Sequence, residues 1–556
     1  MNSWNLLNRY RERGAFAYID LAFAKSVLKE KHENENHAAI LAVLFALSRQ
    51  GHLALDLSPG PLTAALQGLG ISNPDPLASL IQGGAVTFVS PFIRRFETLL
   101  YLQKNWVFET QILTELQRLH QHHPFIELAF AGVNPKLNAE QKLAVAKAMA
   151  HSLSLLTGGP GTGKTFTAAE FVKAALAALP SEKREQFRIL LTAPTGKAVA
   201  QLERNLRASL EESSCICSGT LHAVLGIREN EREEEEESRL FADLIIVDEC
   251  SMIDARIFSR FLASVPSGTR LLLIGDKNQL PPIEAGSIFT DLIEAKIYPC
   301  VHLTECLRSD RAEILNFAEQ IKRGNSDTAI ECLKNSRELE WTDLTEKNIN
   351  LADLWEQCKD RFATHEFEKP SPEQLLSRIG SFSLLSSMRK GPLGVDAINR
   401  YFLYQSIKVV PEGTWWTVPI MISRNDYDSE LYNGDQGFLV RKRGHDFSLR
   451  RLSLEDYALF RGRDGKVRQF SALSLPSFEY SYCLSVHKSQ GSEYDEILIL
   501  IPPGSELFGR EAIYTAVTRA RHKVFLIGGL ERLAQSISAS SKKISGLVQR
   551  SKYKAE

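Results

Sequence analysis

Gly158-Gly-Pro-Gly-Thr-Gly-Lys-Thr165 constrains the fold more than any other stretch of the chain. Its spacing, G-x-x-x-x-G-K-[ST], has meaning in one structural context, the turn between a buried strand and a helix. Leu153-Ser-Leu-Leu-Thr157 ahead of it predicts the strand, and the run Phe166 to Leu179 behind it predicts the helix. Glycines at such a turn let backbone N–H groups converge on phosphate oxygens, and the helix N-terminus adds a favourable dipole. Gly158, Gly159, Pro160, Gly161, Thr162 and Gly163 form the expected cradle. Lys164 is placed to reach the β- and γ-phosphates, and the Thr165 hydroxyl to hold Mg²⁺. The expected ligand is a nucleoside triphosphate.

At 556 residues the chain exceeds what one hydrophobic core supports, and three or four domains are expected. The net charge of −1 leaves no global basic footprint, so any nucleic-acid surface must be local. Eight cysteines are scattered, and only Cys215 and Cys217 are close-set. No second pair completes a zinc or iron–sulfur ligand set, which predicts reduced thiols. The first residues lack a basic region followed by an apolar run, and no stretch approaches roughly 18 uninterrupted apolar residues. The expectation is a soluble, cytoplasmic protein without membrane contact.

The first 130 or so residues carry helical periodicity without chemistry. Ala38–Leu47 predicts an apolar helix; Phe92–Phe96 and Thr98–Leu102 predict a strand leading into a helix over Trp106 to His120. From Leu137 the pattern changes to short β-rich runs, each followed by a turn and a helix: 153–156, 188–192, 244–247 and 271–274. A second set resumes at 382–386, 480–486, 497–501 and 524–527. Alternation of this kind predicts two α/β cores with parallel sheets. Between them, alternating strands from about Val409 to Pro476, with turns at Tyr432–Asp435 and Arg463–Gly465, predict a small inserted β-barrel. The acidic run Glu229 to Glu237 predicts a solvated loop.

Leu244-Ile-Ile-Val-Asp248-Glu249 places two acids at the end of a buried strand. Asp248 is positioned to bind Mg²⁺ and Glu249 to orient and deprotonate an attacking water. Leu271-Leu-Leu-Ile-Gly-Asp276-Lys-Asn-Gln279 is a third strand ending in polar residues, where Gln279 can hydrogen-bond a γ-phosphate.

These motifs are followed by Gln279-Leu-Pro-Pro282, Val486-His-Lys-Ser-Gln-Gly-Ser-Glu493 and Tyr514-Thr-Ala-Val-Thr-Arg-Ala-Arg521. In that order they resemble superfamily 1 helicases of the RecD type, the alpha subunits of exodeoxyribonuclease V (RecBCD), over residues from about 138 to 530. Met388–Asn399 and Ile422–Asn425 leading to Asn433–Asp435 resemble further RecD stretches. The resemblance implies an α/β fold of two RecA-like P-loop NTPase cores, a helical N-terminal docking domain and an SH3-like barrel inserted in the second core. The expected boundaries are 1–132 for the docking domain, 133–302 for the first core, 303–408 with 477–556 for the second, and 409–476 for the insertion.

The resemblance also implies roles. Gln141 matches the glutamine that reads the adenine edge, making ATP with Mg²⁺ the expected cofactors. Arg308 matches the arginine reaching the γ-phosphate from the second core, and Arg519 the arginine finger. Thr195, Lys197, Thr220, His222, His487 and Ser489 match positions that meet single-stranded DNA. The implied activity is ATP-dependent 5′→3′ DNA translocation and unwinding of duplex ends in double-strand-break repair, as part of a heterotrimer with RecB-like and RecC-like subunits. No nuclease constellation occurs in the chain. Two rivals stand beside this expectation: a standalone helicase of the same branch, and a P-loop switch that hydrolyses nucleotide without translocating.

Overall fold

Strands that are apolar at every position, rather than at alternate ones, are stable only in a sheet covered on both faces. Leu153–Gly158, Leu244–Val247 and Arg270–Gly275 are buried at every residue. They join a six-stranded parallel sheet in the order Cys215–Thr220, Arg188–Ala193, Leu244–Val247, Arg270–Gly275, Leu153–Gly158, Cys300–Leu303. The computed structural model describes residues 3–29, 36–85, 91–122, 134–208, 215–227, 239–306, 312–343, 350–362, 365–366, 369, 371–408, 410–426, 428–444, 451–462 and 464–555. Arg308, Arg463 and the acidic run 229–237 lie outside the described residues.

Successive residues of each strand face opposite layers. Leu244 and Ile246 pack with helices Ala139–Ala150, Lys164–Ala177 and Gly196–Arg207. Ile245 and Val247 face Ala255–Ser264 and Ile288–Ala295. The second layer also contains helix Gln103–Gln121, whose Ile112, Leu113, Leu116 and Leu119 recur at helical spacing and share a core with Phe258 and Phe261. Arg118 on this helix donates to the Leu262 and Val265 carbonyls, at 3.2 and 2.7 Å, satisfying the end of helix Ala255–Ser264.

Toward the N-terminus, helix Asn36–Arg49 is buried over most of its length, within a core shared with Ser3–Glu12, Tyr18–Lys29 and Asp75–Ala85. The buried Asp20 carboxylate accepts from the Arg49 guanidinium at 2.6 and 2.7 Å and from the Ala17 N–H at 2.8 Å. The segment expected to be one strand is a hairpin. Ile93–Phe96 turns at Glu97-Thr98 and pairs antiparallel with Leu99–Leu102, which also pairs with Ala54–Asp56. Glu97 takes φ 50°, the left-handed geometry of a tight two-residue turn, at a residue that carries no turn signal.

A second parallel sheet has the order Leu339–Thr342, Ala520–Gly528, Tyr494–Ile501, Phe382–Ser386, Cys483–Ser485. Ala312–Arg323, Ser326–Asn335, Gly509–Val517 and Leu530–Ser538 cover one face, and Leu351–Cys358 with Val395–Lys408 the other. Between Phe382–Ser386 and Cys483–Ser485 the chain builds an antiparallel sheet of Trp415–Ile422, Gln436–Lys442, Tyr457–Arg461 and Val467–Ser471. Phe478–Tyr480 and, from upstream, His365–Glu366 also pair with Trp415–Ile422.

The C-terminal segment returns from the second sheet to the first. The Leu53 and Ala54 N–H groups donate to the Ile544 carbonyl at 2.8 and 3.3 Å, and the Ile544 N–H donates to His52 Nδ1 at 2.9 Å. Ser545 Oγ donates to Asp291 at 2.7 Å. Gly546 passes so close to Tyr101 that an added Cβ would sit 1.8 Å from its hydroxyl. Helix Leu547–Ala555 then seats against Gln103–Gln121 and Ile288–Ala295. Its Arg550 lies 3.6 Å over the Trp106 ring and 3.0 Å from Glu109, which also accepts from Tyr101 Oη at 3.0 Å and the Gly546 N–H at 3.1 Å. Both ionised groups are buried. Removing one partner strands the other charge in the interior, at a cost of about 3–5 kcal/mol. Arg550→Ala is therefore expected to lower the thermal unfolding temperature markedly. Replacing Glu109 and Arg550 together by Leu and Met should cost less than Arg550→Ala alone, and an unchanged unfolding temperature for Arg550→Ala would contradict the pairing.

Candidate nucleotide-binding cleft

In a parallel sheet the C-terminal ends of the strands converge on one side, where ligands bind. Leu153–Gly158, Leu244–Val247 and Arg270–Gly275 deliver Gly159–Thr165, Asp248-Glu249 and Asp276–Gln279 to that side. Gly161 and Gly163 take φ 78° and 81°, which a side chain would oppose. A Cβ on Gly158 would lie 2.7 Å from Thr162 Oγ1 and 2.8 Å from the Leu303 carbonyl, so only glycine fits. Lys164 caps its own loop, its Nζ donating to the Gly158 and Gly159 carbonyls at 2.8 and 3.0 Å. Gln141, 1 % exposed, closes a capping box with Asn138 and donates through Nε2 to the Thr162 carbonyl at 3.4 Å.

Asp248 is buried and accepts from the Glu249 N–H at 2.8 Å and from the Thr165 hydroxyl. Glu249 is held at φ 52°, a strained conformation for a non-glycine residue that costs roughly 1 kcal/mol or more. Burial and then the neighbouring Glu249 raise the Asp248 carboxyl to about 7, against the pull of Lys164 and Thr165. Four buried polar atoms lack partners at this end of the sheet: Thr157 Oγ1, Thr192 Oγ1, Ser251 Oγ and Gln279 Oε1. Orphaned acceptors and hydroxyls are rare in folded interiors. With the glycine cradle and Lys164 they fit a phosphate–metal ligand. Among the described residues no three His, Cys, Asp or Glu side chains form a metal cluster of their own.

The second sheet supplies the opposite wall. Tyr514 Oη, against Gly159, donates to Asp276 Oδ2 at 2.9 Å, and the Leu280 N–H donates to Thr515 Oγ1 at 2.9 Å. Arg519 follows and is 4 % exposed. Its guanidinium donates to the Thr515 and Ser492 carbonyls and to Thr518 Oγ1, at 3.0, 3.3 and 3.3 Å. No carboxylate among the described residues pairs with it, so it is not the surface salt bridge that an arginine at such a position usually makes. Tyr514, Thr515, Asp276 and Ser492 all lie inside motifs of the sequence, but only the structure shows what they touch.

Of the six residues matched to DNA contacts, four share one edge of the first sheet, and His487 and Ser489 lie on the second core in the turn after Cys483–Ser485. Ala193 and Thr220 are register partners, which brings Thr195-Gly-Lys197 beside Thr220-Leu-His222. The Thr195 and Thr220 hydroxyls accept from the Ala198 and Ala223 N–H groups as helix caps, at 3.2 and 3.3 Å. Ser489 Oγ is buried and donates to the Val486 carbonyl at 2.7 Å. Lys197 reaches the second core, donating to Ser492 Oγ at 2.7 Å. Burial pushes its ammonium down to about 8, with Asp435 raising it and Arg519 and Arg521 lowering it further. His487 is half-buried and lowered by burial and then by Lys543; His222 is exposed.

The raised Asp248 carboxyl has a consequence for stability. Its ordinary value is 3.8, so between about 4 and about 7 the folded protein holds a proton that the unfolded chain has released. Stability from this site is present at low pH, falls as pH rises through that window, and is level above it. Asp248→Asn removes the titration. In buffer free of nucleotide and Mg²⁺, its gain in unfolding temperature over the parent should grow from about pH 5 to about pH 7 and then stay constant. A gain that does not change with pH would contradict the burial of this carboxylate.

Residues 136–344 match the family described as AAA domain, and residues 480–527 the UvrD-like helicase C-terminal domain. The RecBCD enzyme subunit RecD of Mycolicibacterium smegmatis is 30% identical over 98% of this chain and 99% of its own length. The ATP-dependent RecD2 DNA helicase of Deinococcus radiodurans is also 30% identical, over 70% of this chain and 49% of its own length. Among solved structures, the Pif1 helicase from Bacteroides in complex with ADP-AlF3 and ssDNA has 17% identity and a TM-score of 0.39, covering 76% of this chain and 98% of that one. The phosphate loop, the paired acids and the buried arginine thus occur in a chain that matches a RecD subunit from end to end, and the chain belongs to the family of RecD subunits of RecBCD enzymes.

Proposed function

We propose that the chain is an ATP-dependent DNA helicase that translocates 5′→3′ as the RecD-type subunit of a complex with RecB-like and RecC-like partners, acting on duplex ends in recombinational repair in the cytoplasm. The observation that carries this reading is Arg519, a buried guanidinium with no carboxylate partner among the described residues, five residues beyond a tyrosine that touches the phosphate loop. A cation left unpaired in the interior is costly unless an anion completes the site. An arginine presented from a second core is the arrangement that neutralises charge developing on a transferred phosphoryl group only when two cores meet.

In this reading Lys164 exchanges its two loop carbonyls for the β- and γ-phosphates, and Gly158 to Gly163 cradle them. Thr165 and Asp248 hold Mg²⁺, and Glu249 orients and deprotonates the attacking water. Gln279 faces the γ-phosphate, Arg308 and Arg519 approach it from the second core, and Gln141 reads the adenine edge. Bound Mg²⁺-ATP supplies the phosphoanhydride whose cleavage drives the cycle.

Thr195, Lys197, Thr220 and His222 of the first core, with His487 and Ser489 of the second, contact the single strand. With the two threonine hydroxyls committed to caps, contacts there come from backbone N–H groups and His222, which suits sequence-independent binding. The antiparallel sheet is an SH3-like barrel inserted at 409–476. The helical region 1–132 docks the chain on its partners, with cores at 133–302 and at 303–408 with 477–556, helix Gln103–Gln121 and the returning helix Leu547–Ala555 packing on the first of them. The match of RecD subunits over 98% of the chain, against 70% for RecD2, favours the heterotrimer over a standalone helicase.

Lys164→Gln is expected to reduce ATP hydrolysis by roughly 10²-fold or more while leaving the unfolding temperature near that of the parent. Full activity in this variant would remove the phosphate loop from the mechanism. Single-stranded DNA is expected to stimulate hydrolysis by the parent, and duplexes with a 5′ tail to be unwound in preference to those with a 3′ tail. An ATPase rate indifferent to DNA would instead support the switch reading.

A further inference from the structure

Asp276 and Gln279 belong to one short turn of the first core, closed by the Gln279 N–H donating to the Asp276 carbonyl at 3.2 Å. Both side chains are buried, and Gln279 Oε1 is without a partner. The other side of this turn is bonded to the second core three times, once through Gln490 Nε2, which donates to the Leu280 carbonyl at 3.4 Å. Tyr514 Oη donates to Asp276 Oδ2 at 2.9 Å, and the Leu280 N–H donates to Thr515 Oγ1 at 2.9 Å. Thr515 also accepts Arg519 Nε on its carbonyl at 3.0 Å. A single residue therefore touches the glutamine turn with its hydroxyl and the buried arginine with its backbone.

Tyr514 is 4 % exposed, and burial followed by the Asp276 charge pushes its hydroxyl well above its ordinary value, so it remains a donor. The same hydroxyl lies 3.3 Å from where a Gly159 Cβ would stand, which puts the phosphate loop, the glutamine turn and the helix that leads to Arg519 in contact at one point. Asp276 Oδ1 is fixed independently by the Asn278 N–H and Nδ2, at 3.0 and 3.2 Å, leaving Oδ2 to Tyr514. A shift of Gln279 on a phosphate cannot leave helix Gly509–Val517 where it was without breaking a charge-assisted buried hydrogen bond.

We propose that Tyr514 is a positioning residue: through Asp276 on one side and Thr515 on the other, it ties the glutamine turn of the first core to Arg519 of the second, so that the γ-phosphate and the arginine are registered together. This rests on the reading of the cleft given above. Steady-state ATP hydrolysis by the full chain, with and without a dT oligonucleotide, tests it. Tyr514→Phe keeps the ring and removes the bond. It is expected to lower kcat by roughly ten- to hundredfold with KM for ATP within about twofold, a loss matching one charge-assisted hydrogen bond. Asp276→Asn combined with Tyr514→Phe should be no worse than the more impaired single variant.

Thr515→Val should share the kcat defect and Thr515→Ser restore it, which a general packing defect would not do. A Tyr514→Phe enzyme with kcat within twofold of the parent, or one whose KM alone rises, overturns the proposal. If DNA fails to stimulate the parent, the motor reading fails. The same comparison on the unstimulated kcat then still decides the role of Tyr514.

Discussion

Three hydrogen bonds join the two cores at the glutamine turn: Tyr514 to Asp276, Leu280 to Thr515 and Gln490 to the Leu280 carbonyl. Everything chemical in the molecule is arranged around this seam. On one side of it the ends of three fully buried strands present a glycine loop, two acids and a glutamine. On the other, a single helix and the residues after it present a tyrosine, a threonine and an arginine. Neither wall is complete alone. The first has orphaned polar atoms and a lysine folded onto its own loop, and the second has a buried guanidinium whose partners among the described residues are carbonyls and a hydroxyl.

The seam is not the only tie between the halves. The C-terminal segment leaves helix Leu530–Ser538, pairs its Ile544 with Leu53 and Ala54, and seats Arg550 against Glu109 and Trp106. A motor built from two cores needs one contact that changes through the cycle and another that does not. Buried charge pairing with a fixed aromatic partner suits the second task, and a few hydrogen bonds beside the phosphate loop suit the first. The energetic cost of the site is visible in the same geometry. Glu249 is held in a left-handed conformation, and Asp248 is desolvated beside another carboxylate. Strain and unfavourable charge of this kind persist where a ligand offsets them.

Much of this was legible in the sequence, for a physical reason. A phosphate loop and paired acids have to sit at the ends of buried strands, and strands buried on both faces are written as continuous apolar runs such as Leu244–Val247 and Leu271–Ile274. Less legible were elements whose stability is tertiary. Cys215–Thr220 and Leu339–Thr342 are strands at the edges of their sheets with mixed composition. The Glu97 turn has no glycine or asparagine to announce it. The C-terminal segment carries no motif, and its partner Glu109 lies more than 400 residues away along the chain. Tyr514 and Asp276 stood within recognisable motifs, yet their pairing is a property of two cores meeting, which spacing within either cannot express.

In the proposed mechanism the second core completes the catalytic site through Arg519. Comparing nucleotide affinity with turnover in Arg519→Ala, using the full chain and single-stranded DNA, tests it most directly. ATP binding is expected to stay within a few-fold of the parent and hydrolysis to fall by roughly 10³-fold or more, the effect of removing an arginine finger. Turnover equal to that of the parent would contradict it.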